Sequence, residues 1–150
     1  MIQRKQSLFL LLAFIATVVC LCLPIAEIIP MGMGGSIKLY NLCIITSAGA
    51  NYSVCGLFGI LAMSAALSLG TIFLYNNRKL QSKFCVCNLF LLIAWYIVLG
   101  VTARNTSPVD FSFNLAFAAC LPAIAAILVF MARAGVIHDE KLVRAADRIR

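Results

Sequence analysis

Seven cysteines in 150 residues raise thiol chemistry first, as metal ligands, redox pairs or nucleophiles. Spacing argues against shared ligation. Cys20 and Cys22, and likewise Cys85 and Cys87, stand two apart inside apolar runs, and two helical steps turn side chains about 200° from each other. There is no Cys-x-x-Cys, and the single histidine, His138, lies far along the chain from the cysteines. Most of the thiols therefore read as small buried apolar residues, and no metal or cofactor is expected. Cys43 and Cys55 are the exception, since both fall in or beside the one long polar connection, where oxidising conditions would allow a structural disulfide. Glu27 is the one acidic residue inside an apolar block and the only candidate functional carboxylate there. Asn88 and Asn114 read as hydrogen-bonding partners between helices, and Trp95, Tyr96 and Tyr40 as aromatic anchors at an outer membrane interface. No Ser-His-Asp set, paired catalytic carboxylates or glycine-rich phosphate loop is present, so no catalytic residue is assigned.

The elements that must position these residues follow from composition. With 63% hydrophobic and 11% charged residues, the chain lies far from the soluble balance of about half apolar and a quarter charged. A soluble fold of this size has nowhere to hide so much apolar surface. The apolar residues come in blocks, 8–29, 54–75, 84–101 and 111–132, each close to the ~20 residues that cross a ~30 Å hydrocarbon core. Helices are the form required in lipid, and the alternating ten-residue strands of a barrel are not seen. The first block is read as a retained helix: it is too long for a signal-peptide core, and bulky Val19 precedes Cys20 where a lipoprotein signal needs a small residue.

Charge places the spans. The net charge of +7 would suit nucleic acid, but all basic residues except Lys38 and Arg104 fall before the first block, between the second and third, or after the fourth. That is the positive-inside pattern, and with four spans it puts both ends in the cytoplasm. Anionic headgroups suffice as partners for these charges, and no nucleic acid is implied. One domain covers 1–150, with 133–150 as a cytoplasmic tail.

Two segments outside the blocks carry pattern. In Ser36–Thr46, Ile37, Leu39, Cys43 and Ile45 fall on one face at period two, which predicts a strand lying on the outer helix ends, closed by a turn over 47–51. In the tail, Asp139 and Glu140 favour a helix start, and Leu142, Val143, Ala146 and Ile149 form an apolar stripe beside Arg144 and Arg148. Leu142, Val143, Arg144, Arg148 and Ile149 are thus candidate partner-docking residues. Ala62, Ala66 and Gly70 at four-residue spacing predict close helix packing within the bundle, and Pro122 predicts a kink in the fourth helix.

The fold class expected is an all-α membrane protein: a four-helix transmembrane bundle with a short periplasmic strand or hairpin between helices one and two, and a C-terminal cytoplasmic amphipathic helix. The opening segment Met1–Ala13 and the closing segment Asp139–Arg150 resemble an uncharacterised four-helix inner-membrane family of Bacteroidota, domain of unknown function 4293. The resemblance implies a bacterial inner-membrane location and brings no established activity or catalytic residue. On this reading the chain is a non-enzymatic accessory or scaffolding subunit that binds a membrane or cytoplasmic protein through its basic inner face. The alternatives are a thiol-redox protein using Cys43 and Cys55, which lacks a second cysteine pair to relay electrons, and a small transporter, which lacks a chain of intramembrane polar groups.

Overall fold

A computed structural model describes residues 3–30, 36–46, 49–74, 78–106 and 111–147. Four helices, α1 (Gln3–Cys22), α2 (Cys55–Phe73), α3 (Arg78–Thr106) and α4 (Leu121–Asp147), are joined by five short strands: β1 (Ala26–Pro30), β2 (Ile37–Leu39), β3 (Ile44–Thr46), β4 (Gly49–Asn51) and β5 (Phe111–Leu115). Each helix packs on its neighbours in sequence, and α1 and α4 close the ring, which makes an antiparallel up-and-down bundle. The buried positions show why the helices stay aligned. They are 6, 10, 13, 17 and 20 on α1, 81, 85, 88, 92, 95 and 99 on α3, and 122, 125, 129, 132, 136 and 139 on α4. Alternating steps of three and four keep one seam turned inward along a slightly supercoiled helix.

The strands form one antiparallel sheet in the order β4-β3-β2-β1-β5, at the end of the bundle where α1 and α3 finish and α2 and α4 begin. Ala26 pairs with Leu39 and Leu115, and Ile28 with Ile37 and Phe113. Ala26, Ile28, Leu39 and Ile44 are buried against the bundle, while Glu27, Lys38 and Asn114 share a row on the other face of the sheet.

Four expectations change. The first apolar block is not one helix: α1 stops at Cys22, ahead of Pro24, and residues 26–30 are the central strand, so Glu27 belongs to a sheet. Proline disfavours helical backbone in the residue before it, and a short apolar run reads alike as strand or helix. The fourth block also splits, because Phe111–Leu115 is strand β5 and α4 begins only at Leu121. Pro122 is therefore in the first turn of the helix, where no carbonyl is displaced and no kink is required. The strand expected over 36–46 is a hairpin folded at Tyr40–Cys43, closed by the Tyr40 amide donating to the Cys43 carbonyl at 2.9 Å. Beyond it, Gly49–Asn51 of the expected turn is strand β4, and Gly49 has φ +132°, a conformation open to glycine; Ser47 and Ala48 lie outside the described residues. Finally, no separate tail helix starts at Asp139, since α4 runs unbroken from Leu121 to Asp147.

Three helices contain stretches long and apolar enough to cross a membrane: Cys55–Phe73, Leu80–Asn105 and Phe117–Glu140, the last beginning in the short 3-10 turn Phe117–Cys120. The apolar part of α1, Gln6–Cys22, is shorter. The fold is thus mostly helical, with four helices and a small antiparallel sheet that the all-α expectation reduced to a strand or hairpin.

Candidate functional site

Among the described residues, the inner seams bury Gln6, Thr17, Ser64, Ser68, Thr71, Gln81 and Asn88, and the buried polar side chains group at three levels. At the sheet end the β2–β3 hairpin inserts Asn41, fully buried, into the mouth of the bundle. Its Nδ2 donates to the Cys20 carbonyl at 2.7 Å, and its Oδ1 accepts from Trp95 Nε1 at 3.0 Å. The Cys20 carbonyl is one of the acceptors that the end of a helix leaves without an intrahelical donor, so the hairpin tip caps α1 and anchors α3 together. Beside it, Cys20 Sγ donates to the Ala118 carbonyl at 3.3 Å, and the Tyr96 hydroxyl to that of Ala119 at 2.7 Å. Trp95 and Tyr96 meet edge to face with centroids 4.9 Å apart. Trp95 is wholly buried, so it is an internal strut and not the interfacial anchor expected. Tyr52 and Phe117 are the aromatic side chains most exposed at this end.

At mid-height Asn88 of α3 bridges two hydroxyls of α2. Ser64 Oγ donates to Asn88 Oδ1 at 2.5 Å, and Asn88 Nδ2 donates to Ser68 Oγ at 2.7 Å. Ser68 passes its own proton to the Ser64 carbonyl at 3.0 Å, so donors and acceptors are matched. Thr17 on α1 donates to its own helix at the carbonyls of Ala13 and Phe14. The interhelical role expected of Asn88 holds. Asn114 instead stands exposed on β5, across from Glu27.

At the end opposite the sheet, Gln6 Nε2 of α1 donates to Asp139 Oδ2 of α4, both side chains buried. Gly135 makes room for this clasp, since a Cβ there would stand 3.1 Å from Gln6 Cγ. Nearby on α4, Arg133 is partly buried, and its Nε finds no hydrogen-bond partner among the described residues.

The expected site residues fall on separate elements. Cys43 is half-buried in the hairpin turn, Cys55 is exposed at the first position of α2, and both are free thiols. Cys20 and Cys85 are buried while Cys22 and Cys87 are exposed, as opposite sides of a helix require. Among the described residues no group of three or more His, Cys, Asp or Glu side chains is placed to hold a metal ion. Glu27 lies opposite Lys38 on the outward sheet face. Leu142 is exposed on the last turns of α4; the Val143 and Arg144 side chains, and Arg148 and Ile149 entirely, lie outside the described residues. Of the small-residue row, Ala66 is exposed and a Cβ on Gly70 would meet nothing within 4 Å, so those two do not serve the bundle's own packing.

Asn41, Gln6, Ser64, Ser68 and Asp139 are interior polar residues that the structure adds to the expected ones. A signal existed in part: Gln6 and Thr17, Gln81 and Asn88, and Ser64, Ser68 and Thr71 are spaced as one helical face, a polar stripe in otherwise apolar helices. No curated protein matches the chain. A family match does run from residue 2 to residue 149, across every element that carries these three levels, and the chain belongs to the family described as Domain of unknown function (DUF4293).

Proposed function

We propose that this chain is a multi-pass protein of a bacterial inner membrane. It crosses four times, with both ends and the α2–α3 connection in the cytoplasm and the sheet outside. It acts there as a non-enzymatic accessory or scaffolding subunit that binds a protein partner through its basic inner end.

The observation that carries the membrane reading is an inverted distribution of polarity. Gln6, Thr17, Ser64, Ser68, Asn88 and Asp139 face inward, while Phe73 (73% exposed), Phe90 (68%), Ile97 (62%) and Phe130 (58%) face outward. α1 shares the pattern, with Leu8, Ile15 and Val19 outside. Water disfavours apolar surface on this scale, whereas lipid tails cover it at no cost and reward internal pairing of polar groups. The apolar part of α1, Gln6–Cys22, is about 26 Å long at 1.5 Å per residue, a modest mismatch that a bilayer meets by local thinning. The scaffolding part rests on matched polar groups inside and on Leu142, half exposed beyond the Gln6–Asp139 clasp. Asp139 belongs to that clasp and not to the docking stripe.

Alkaline phosphatase fused after Arg150 is expected to be inactive in cells, and fused after Thr46 active; the reverse pattern overturns the topology. For partner binding, Leu142→Asp should abolish recovery of a stoichiometric partner from mild detergent at unchanged abundance. Equal recovery from the variant overturns the docking role. Truncation after Gly135 is a poorer test, because it also removes Asp139 from the bundle.

A further inference from the structure

Arg133, the first residue of the expected tail, lies instead within α4 and is partly buried against the bundle. It occupies the middle of α4 (Leu121–Asp147), seven residues before the end of the apolar stretch Phe117–Glu140. That is about 10 Å along the helix axis from Glu140. It flanks the buried seam formed by Val129, Ala132 and Val136, on a helix packed against α3, where the Cys85 thiol is near enough to feel its charge. Its Nε is buried and has no hydrogen-bond partner among the described residues. Of the carboxylates that follow it on the same helix, Asp139 accepts from Gln6, and Glu140 has an interaction of its own.

A guanidinium has donors only and cannot lose its proton, so its need can be met only by an acceptor, best an anion presenting two oxygens. In hydrocarbon an unmet charged donor is disfavoured, and a long cationic side chain at this depth turns its head toward the nearer headgroups. Phe130 and Ala134, on either side of it along the helix, are exposed, so the position opens to the outside of the bundle and not only to its interior. Resting on the membrane reading above, we propose that Arg133 binds the phosphate of an anionic lipid of the cytoplasmic leaflet at the α3–α4 seam. The lipid phosphate supplies the acceptor that no described residue gives to Nε. The acyl chains lie along the outward apolar side chains Phe130 and Ile127, exposed on the same helix.

The test uses the full chain. Incorporation into phosphatidylcholine vesicles is checked first by flotation; a chain that does not float with them overturns the membrane reading, and this site with it. The floated protein is then compared in vesicles with and without phosphatidylglycerol, and native mass spectra are taken for retained lipid. The wild-type chain should retain phosphatidylglycerol with roughly tenfold higher apparent affinity than Arg133→Gln, the loss expected for one charge-assisted hydrogen-bonding group. Arg133→Lys, which keeps the charge and lacks the paired donors, should fall between them and guards against a variant that fails only by misfolding. Inorganic phosphate without lipid should leave the unfolding midpoint unchanged. A phosphate-dependent rise lost in Arg133→Gln, without preference for phosphatidylglycerol, would overturn the lipid as the source and leave a soluble anion in its place. Equal retention of phosphatidylglycerol by wild type and both variants overturns the site.

Discussion

At the sheet end, a single neutral side chain from a loop, Asn41, joins α1 and α3 through a helix-end carbonyl and an indole. At the opposite end, α1 and α4 meet directly through Gln6 and Asp139, and two residues before Gly135 the Arg133 Nε has no hydrogen-bond partner among the described residues. The first end is closed by a sheet whose buried polar groups are neutral and matched. The second has no strand over it among the described residues, and it gathers ionisable groups. The contrast teaches where this architecture is fixed and where it can answer to its surroundings. Neutral amide bonds to backbone depend little on salt or lipid charge, whereas a carboxylate and a guanidinium depend on both.

Breaking the closed end should have the largest effect. Asn41→Leu removes two hydrogen bonds and leaves the Cys20 carbonyl and Trp95 Nε1 buried without partners, which should lower stability by about 2–3 kcal/mol. Reversible unfolding in mixed micelles checks this. A change below about 0.5 kcal/mol would mean that the hairpin rests on the bundle without holding it.

The inner clasp should yield more softly. In Gly135→Ala the new Cβ would press on Gln6 Cγ at 3.1 Å, and because that is a flexible side chain the loss should be about 1 kcal/mol. Combining it with Gln6→Ala sharpens the point. If the clasp is a direct contact, the pair of substitutions should be less damaging than the sum of the two alone, and strict additivity in the same assay would separate Gly135 from Gln6.

The smallest effect belongs to the outward face between the two ends. A Cβ on Gly59 would meet nothing within 4 Å, so Gly59→Ala should leave unfolding unchanged or raise stability by up to about 1 kcal/mol through helix propensity. A loss of more than that would show that α2 is covered on this side by something outside the bundle.

From the sequence alone it follows that most residues lie in apolar blocks, that the basic residues cluster in a few stretches between and beyond those blocks, and that paired cysteines two apart cannot share a ligand. These are properties of composition and local spacing, which need no partner to be read. Helix or strand was not decided locally at 25–30 and 111–115, because an apolar run of five or six residues suits either form. Pairing settles it: β1 is a strand because β2 and β5 lie on both sides of it. The same holds for Asn41, a turn residue by type, which became the closure of the bundle because Cys20 and Trp95, 21 and 54 residues away in the chain, converge on it. Burial of Asp139 likewise followed from α4 continuing past Gly135, where Gln6 of α1 lies against the glycine and donates to the carboxylate. A polar group in an apolar surrounding is held by whichever partner the fold delivers, and that partner is a long-range fact no local window contains.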